Sequence, residues 1–501
     1  METSDIIPSR PFDDLSAEDW LARVADRNLI DGDLTPGPAT LDVMEPAQMR
    51  RLAGTPASGE DEVAAAVGAA RAALPHWATT NARQRGRLLA KAAREITACS
   101  EAIARLLARE TGKALATECR GELAVAADLL EFYGGLAPEL KGETVPFDPS
   151  VFATTTREPL GVVAAIVPWN VPLVLTMLKI APALVAGNTV VVKASEEAPF
   201  ATLACAVILN RFLPAGVVNV IVGEGPSCGT ALTAHPDVAK ITFTGSEAAG
   251  RKVYGEGAKR IVPVSLELGG KSPMIVCGDA ELDRAVAGAI AGMRFTRQGQ
   301  SCTAASRIYV HASLYDAFVS DLCGRLETLR IGDPLDEATD VGTIINTRQK
   351  ATIERYVKLA EASPGARILR LGTLPEPGPV APDLFMQPTL ILDLPADNPA
   401  ACEEIFGPVC VISKWDDYEE VLAAANASPY GLAATVWTDS LSTALDATRR
   451  LNAGYVQVNQ NLTIQPNLSY GGFGVSGLGK EATLEAMLEN FTRKKTIVFA
   501  M

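Results

Sequence analysis

The sequence predicts an α/β fold built on parallel sheets, and three observations carry the prediction. From residue 161 onward, five short apolar runs alternate with single helical segments, which implies right-handed βαβ units. After residue 271 a second alternation of the same kind begins. Ahead of both lies a mainly helical stretch, and the chain ends in a β-rich tail. In order, 60–77 reads as a helix, with acidic residues in its first turn and apolar residues at helical spacing. Segments 83–109 and 117–132 continue that pattern, 138–150 carries Gly and Pro punctuation, and 151–156 (VFATTT) is a short β-type run. The first alternation places strands at 161–167, 189–193, 217–223, 240–246 and 263–270, with helices at 173–186, 199–212, 226–234 and 247–255 between them. Such a sheet binds a nucleotide at the carboxyl ends of its strands. The second places strands at 272–278, 306–313 and near 366–371, 389–392 and 409–413, with helices at 280–297 and 314–328. The tail KKTIVFAM is apolar enough to need an edge to pair with.

Composition narrows the function classes. At 501 residues and 48% hydrophobic content the chain has room for two to four domains with large cores. Fifty-nine acidic side chains against 45 basic ones give a net charge of −14, which argues against a nucleic-acid partner. The acidic, polar start lacks the pattern of a secretory signal. Residues 161–178 carry no charge, but the PWNVP break at their centre argues against a membrane span, so no membrane partner is expected. Nine scattered cysteines without a CxxC pair suit reduced thiols in a cytoplasm. His76, His235 and His311 lie far apart, so no metal site is expected.

Cys302 stands in GQSCTA, where small polar neighbours leave room for a substrate. No histidine is close in sequence, so a Cys–His pair is unsupported, and the residues alone distinguish Cys302 only weakly from the other eight cysteines. Asn170, between two prolines, reads in isolation as a turn residue, and Glu267 as a strand-end charge.

Six motifs taken together say more. VPWNVPL, FTGSEAAG, LELGGKSP, GQSCTA, EEIFGPV and GGFGVSGLGKE occur in this order, and from about residue 20 to the end the chain resembles the aldehyde dehydrogenase superfamily. The resemblance implies two Rossmann-like parallel-sheet domains plus a small β oligomerisation arm. It places an NAD-binding domain at 1–136 and 160–266, a catalytic domain at 267–470, and the arm with the C-terminal tail at 137–159 and 471–501. It implies NAD(P)-dependent oxidation of an aldehyde to a carboxylic acid, and a homodimer or homotetramer. Cys302 matches the nucleophile that forms a thiohemiacetal and then a thioester. Asn170 and the Cys302 backbone N–H match the donors to the oxyanion. Glu267 matches the base that activates water, a role favoured by a desolvated carboxylate.

The same resemblance points away from the glycine-rich run at 220–229, whose third glycine falls one place late for GxGxxG. It assigns the cofactor phosphates to Gly245, Ser246 and Gly250, where a helix start offers free N–H groups. Lys193 and Glu196 match residues on the adenosine ribose, and a carboxylate there tilts the expectation toward NAD, with NADP as the alternative. Glu404, Phe406 and Trp169 match residues around the nicotinamide, and Lys179 and Glu481 match a proton relay from Glu267.

Val171, Ser301, Thr303, Leu462, Ile464 and Tyr470 are expected to line the substrate pocket. No arginine stands out as a grip for a carboxylate, so a neutral aldehyde is expected. Two other readings compete. In a coenzyme A-acylating relative the base is commonly absent, and Glu267 argues against that. A non-catalytic, crystallin-like binding protein commonly loses a catalytic residue, and none is lost here.

Overall fold

The computed structural model describes residues 11–378, 380–461 and 465–501. Two large sheets dominate it. The first has eight strands, and its five central ones are parallel: Val218–Val222, Thr189–Ala194, Val162–Ile166, Val238–Thr244 and Val264–Glu267. The earliest of the five lies in the middle. The chain winds outward through Thr189–Ala194 and Val218–Val222, then returns to place Val238–Thr244 on the opposite side. That reversal opens a crevice between the carboxyl ends of Val162–Ile166 and Val238–Thr244, the kind of place where open α/β sheets take ligands.

The central strands are apolar throughout because both faces are covered. Val163, Ala165, Val190 and Val192 face a core with the helices Pro172–Val185 and Phe200–Asn210. Val162, Ala164, Val191 and Ile221 face another with the helix Glu60–Thr79. Trp77 at the end of that helix is fully buried, its indole N–H donating to the Leu184 carbonyl at 3.1 Å.

The sheet is not purely parallel, as the sequence had suggested. Arg27–Ile30, hairpinned to Asp33–Pro36, adds antiparallel to Val218–Val222 at one edge. Gly477–Leu478 adds antiparallel to Val264–Glu267 at the other. These edge strands are short and carry no apolar run, so periodicity did not reveal them.

The second sheet has seven strands, ordered Arg367–Arg370, Thr389–Leu392, Val409–Trp415, Arg307–His311, Pro273–Val276, Ala433–Trp437 and Tyr455–Val458. All neighbours are parallel except the first pair. A third sheet pairs Thr492–Ala500 with Val151–Pro159, which pairs in turn with Thr144–Asp148. Only Thr492–Ala500 of the C-terminal segment reaches this arm. The residues just before it form the edge of the first sheet and the helix Leu484–Phe491.

Two expected helices differ. The helix expected over 83–109 is two, Ala82–Ala98 and Ser100–Thr111, because Cys99 leaves helical geometry between them. The helix expected over 280–297 runs only from Leu282 to Met293. Arg294 follows in the left-handed region at φ 54°, and a short 3-10 turn spans Phe295–Arg297. This early stop determines where Arg294 and Arg297 go.

Candidate active site

Four loops converge at the crevice. The first follows Val162–Ile166 and carries Trp169 and Asn170. The Asn170 carbonyl accepts from Lys113 Nζ at 3.0 Å, and its Nδ2 donates to the Gln300 carbonyl at 3.1 Å. The Asn170 amide is thereby fixed on the segment that carries Cys302. Lys113 is itself ion-paired to Glu122, whose other oxygen accepts from the Leu173 N–H at 2.8 Å. This buried pair anchors both the Asn170 loop and the start of the helix Pro172–Val185.

The second loop follows Val264–Glu267. Glu267 is buried and its Oε2 has no partner among the described residues. Burial pushes its carboxyl well above the ordinary range, the nearby charge of Glu481 pushes the same way, and Lys179 and Lys480 oppose both. Gly471, at φ 144°, lies against it; a Cβ there would stand 2.7 Å from Glu267 Oε1, so only glycine leaves room for the carboxylate. Lys179 Nζ and Glu481 Oε1 are ion-paired at 2.8 Å in the interior. Thr242 Oγ1 also reaches Glu481 Oε1, at 3.4 Å.

The third loop carries Cys302. No hydrogen bond from its backbone N–H is made within the described residues. Its half-buried Sγ lies 3.5 Å from the Tyr470 hydroxyl. Desolvation pushes the thiol up to about 11; the Tyr470 hydrogen bond and Arg297 pull it down, while Glu404 and Glu267 push it up. Tyr470, which touches this sulfur, is followed in the chain by Gly471, which packs on the Glu267 carboxylate. Tyr470 is held by paired backbone hydrogen bonds with Glu481, at 3.1 and 2.7 Å.

The fourth loop follows Val238–Thr244. Gly245 donates its N–H to the Glu267 carbonyl at 3.1 Å, and Ser246 caps the helix Glu247–Arg260. Gly250 packs on Leu268, where a Cβ would lie 2.5 Å from Leu268 Cδ2, so the helix start sits close against the strand end. Beside it, Lys193 and Glu196 pair at 2.7 Å at the end of Thr189–Ala194. Glu404 accepts from the Gly270 N–H at 3.0 Å, and desolvation pushes its carboxyl up to about 7. Trp169 and Phe406 meet edge to face at 5.5 Å. Exposed helix N–H groups, a lysine–carboxylate pair and an aromatic wall along one crevice suit a dinucleotide.

On the other side of Cys302 lies a cavity of about 280 Å³. Val171, Ser301, Thr303 and Tyr470 line it, together with Val125, Leu129, Val174 and Leu178. Leu462 and Ile464 lie outside the described residues. One expectation is overturned: Arg294 and Arg297 both line this cavity, together with Glu118 and Glu122. Sequence reasoning missed these four and Lys113. The only signal was that Glu118 and Glu122 stand one helical turn apart.

The comparisons agree with this geometry. Residues 35–497 match the model of the aldehyde dehydrogenase family. The chain is similar to a (Z)-2-((N-methylformamido)methylene)-5-hydroxybutyrolactone dehydrogenase of Acinetobacter baylyi, with 38% identity over 94% of this chain and 96% of the relative. It is 38% identical to a hydroxyisobutyraldehyde dehydrogenase of Mycolicibacterium austroafricanum, over 92% of this chain and 90% of that one. The NAD+ complex of an aldehyde dehydrogenase from Bacillus cereus superposes with a TM-score of 0.92 at 32% identity, covering 99% of both chains. With a family match over residues 35–497 and relatives 38% identical over nearly the whole chain, this chain belongs to the aldehyde dehydrogenase family.

Proposed function

We propose that the chain oxidises an aldehyde to the carboxylic acid with NAD(P), through a covalent adduct on Cys302. The observation that carries this reading is the meeting of a half-buried thiol and an unpartnered, desolvated carboxylate, Glu267, at the mouth of one crevice. The Cys302 thiolate attacks the aldehyde carbon, forming a C–S bond and an oxyanion. Asn170 Nδ2 and the Cys302 backbone N–H donate to that oxygen. NAD(P), held by the residues named below, would supply the hydride acceptor for oxidation of the Cys302 adduct to the thioester. Glu267 then takes a proton from water as its oxygen attacks the thioester carbon, and the C–S bond breaks to return the thiolate. The Lys179–Glu481 pair offers that proton a route inward from Glu267.

Gly245, Ser246 and Gly250 would hold the cofactor phosphates, and Lys193 and Glu196 the adenosine ribose. The Glu196 carboxylate repels a 2′-phosphate and favours NAD, with NADP as the alternative acceptor. Glu404, Phe406 and Trp169 would frame the nicotinamide end. The eight-stranded sheet with its helices acts as the cofactor domain and the seven-stranded sheet as the catalytic domain. The arm is read as the assembly surface of a homodimer or homotetramer. In support, Thr492–Ala500 has a free edge among the described residues, and Val498, Phe499 and Phe152 are exposed on the arm. Nine unpaired cysteines support a cytoplasmic setting.

Cys302→Ala tests the core of the reading. NADH formation with a panel of aldehydes should fall to background, by about 10⁴-fold or more, as for removal of other covalent nucleophiles. Steady turnover by the variant would end it.

A further inference from the structure

The cavity beside Cys302 holds one guanidinium, that of Arg294, that feels the charge of Glu118 but that none of the described carboxylates hydrogen-bonds. Besides Cys302 and Tyr470, two carboxylates and two guanidiniums line it: Glu118, Glu122, Arg294 and Arg297. Glu122 is taken by Lys113 and the Leu173 N–H. Glu118 Oε2 accepts from Arg297 Nε at 2.8 Å and Nη2 at 2.5 Å, and Oε1 accepts from the Thr296 hydroxyl at 2.5 Å. Arg294 donates no side-chain hydrogen bond among the described residues, and its Nε is buried without a partner. Desolvation lowers its pKa to about 10, so the guanidinium stays charged at neutral pH.

A buried donor without an acceptor costs about 1–3 kcal/mol, more when it is charged. Arg294 also sits at a left-handed backbone position that glycine would occupy more easily. A planar fork of N–H groups in this state matches a carboxylate, which it can grip through two parallel hydrogen bonds. The rest of the wall, Val125, Leu129, Val174 and Leu178, is aliphatic and suits a hydrocarbon spacer.

We propose that Arg294 is a specificity-determining residue that anchors the carboxylate of an ω-oxo acid whose aldehyde carbon lies at Cys302. This rests on the reading of Cys302 as the nucleophile, and the test separates the two. The first arm needs no turnover. Glutarate is titrated as a protector of Cys302 against iodoacetamide, with alkylation followed by mass spectrometry. The dicarboxylate should protect the wild type at concentrations about tenfold or more below those needed for Arg294→Met, given the worth of a hydrogen bond between charged groups. Arg294→Lys, which keeps the charge, should recover part of the difference. Equal protection of wild type and Arg294→Met overturns the proposal.

The second arm compares kcat/KM for 5-oxopentanoate and its methyl ester. The wild type should favour the acid, chiefly through KM, and Arg294→Met should lose that ratio. Acid and ester used equally well by both proteins overturns the anchor and leaves the catalytic reading intact. Arg294-dependent protection without oxidation of any aldehyde sustains the anchor and defeats the catalytic reading.

Discussion

The two sides of Cys302 are built differently. The crevice side is made from loops at the carboxyl ends of adjacent parallel strands, so Asn170, Gly245 and Glu267 are placed by strand register. Their partners are largely backbone groups: the Gln300 carbonyl for Asn170, the Glu267 carbonyl for Gly245, the Gly270 N–H for Glu404. The cavity side is made from faces of the helices Arg120–Gly135 and Pro172–Val185 and the turn after Met293, and its polar groups hold one another through side chains. Strand ends here fix the groups to which the proposed reaction assigns work on the reacting atoms. Helix faces decide what can approach them, and can change residue by residue without disturbing a sheet.

The sharpest way to break this comparison is on the crevice side. Glu267→Gln is nearly isosteric, so it removes the proposed base and keeps the packing against Gly471. Steady-state turnover should fall by about 10²–10⁴-fold, the usual worth of a positioned base. A rapid burst of NADH close to one equivalent should survive, because thioester formation does not use this group. Stopped-flow absorbance distinguishes the two steps. Loss of the burst together with turnover would assign Glu267 to an earlier step.

Glu122→Ala tests whether the two sides are mechanically joined. The side chain lines the cavity, yet through Lys113 it also steadies the Asn170 carbonyl on the crevice side. Its removal leaves a buried ammonium unpaired and a helix start uncapped. The expected cost is about 3–5 kcal/mol in chemical denaturation. Folded variant should also show weakened chemistry at Cys302, since Asn170, the proposed oxyanion donor, has lost its support. A variant destabilised by that much but with unaltered Cys302 alkylation would separate the two sides.

The same contrast explains what the sequence made legible. Cys302, Glu267, Asn170, Gly245 and Ser246 sit in short contiguous motifs, because a loop at a strand end brings its neighbours in sequence to the same place. The five central strands were readable from their unbroken apolar runs. The cavity wall was not, since the turn with Glu118 and Glu122 and the turn with Arg294 and Arg297 meet only through tertiary packing. Arg294 was further hidden inside a helix expected to continue to residue 297, whereas the chain turns left-handed at 294 itself. The short edge strands Arg27–Ile30 and Gly477–Leu478 were missed for want of any apolar pattern, although the second supports the strand that ends in Glu267.

Tyr470 lies where the two sides meet, and its expected effect is the smallest. Its hydroxyl hydrogen-bonds the Cys302 sulfur and favours the thiolate, against the desolvation that pushes the thiol up to about 11. Below that value the thiolate fraction rises about tenfold per pH unit, so alkylation by iodoacetamide should accelerate steadily from neutral to strongly alkaline pH. Tyr470→Phe removes a stabiliser of the charged form and must therefore raise the pKa, shifting the profile to higher pH and slowing alkylation at any fixed pH below it. A hydrogen bond of ordinary net worth, about 0.5–1.5 kcal/mol, corresponds to roughly a two- to tenfold slowing. The phenyl ring keeps the packing, so an unchanged profile would mean that Tyr470 shapes the cavity and leaves the sulfur's ionisation to the arginines. A shifted profile would place it with the crevice groups that act on the reacting atom itself.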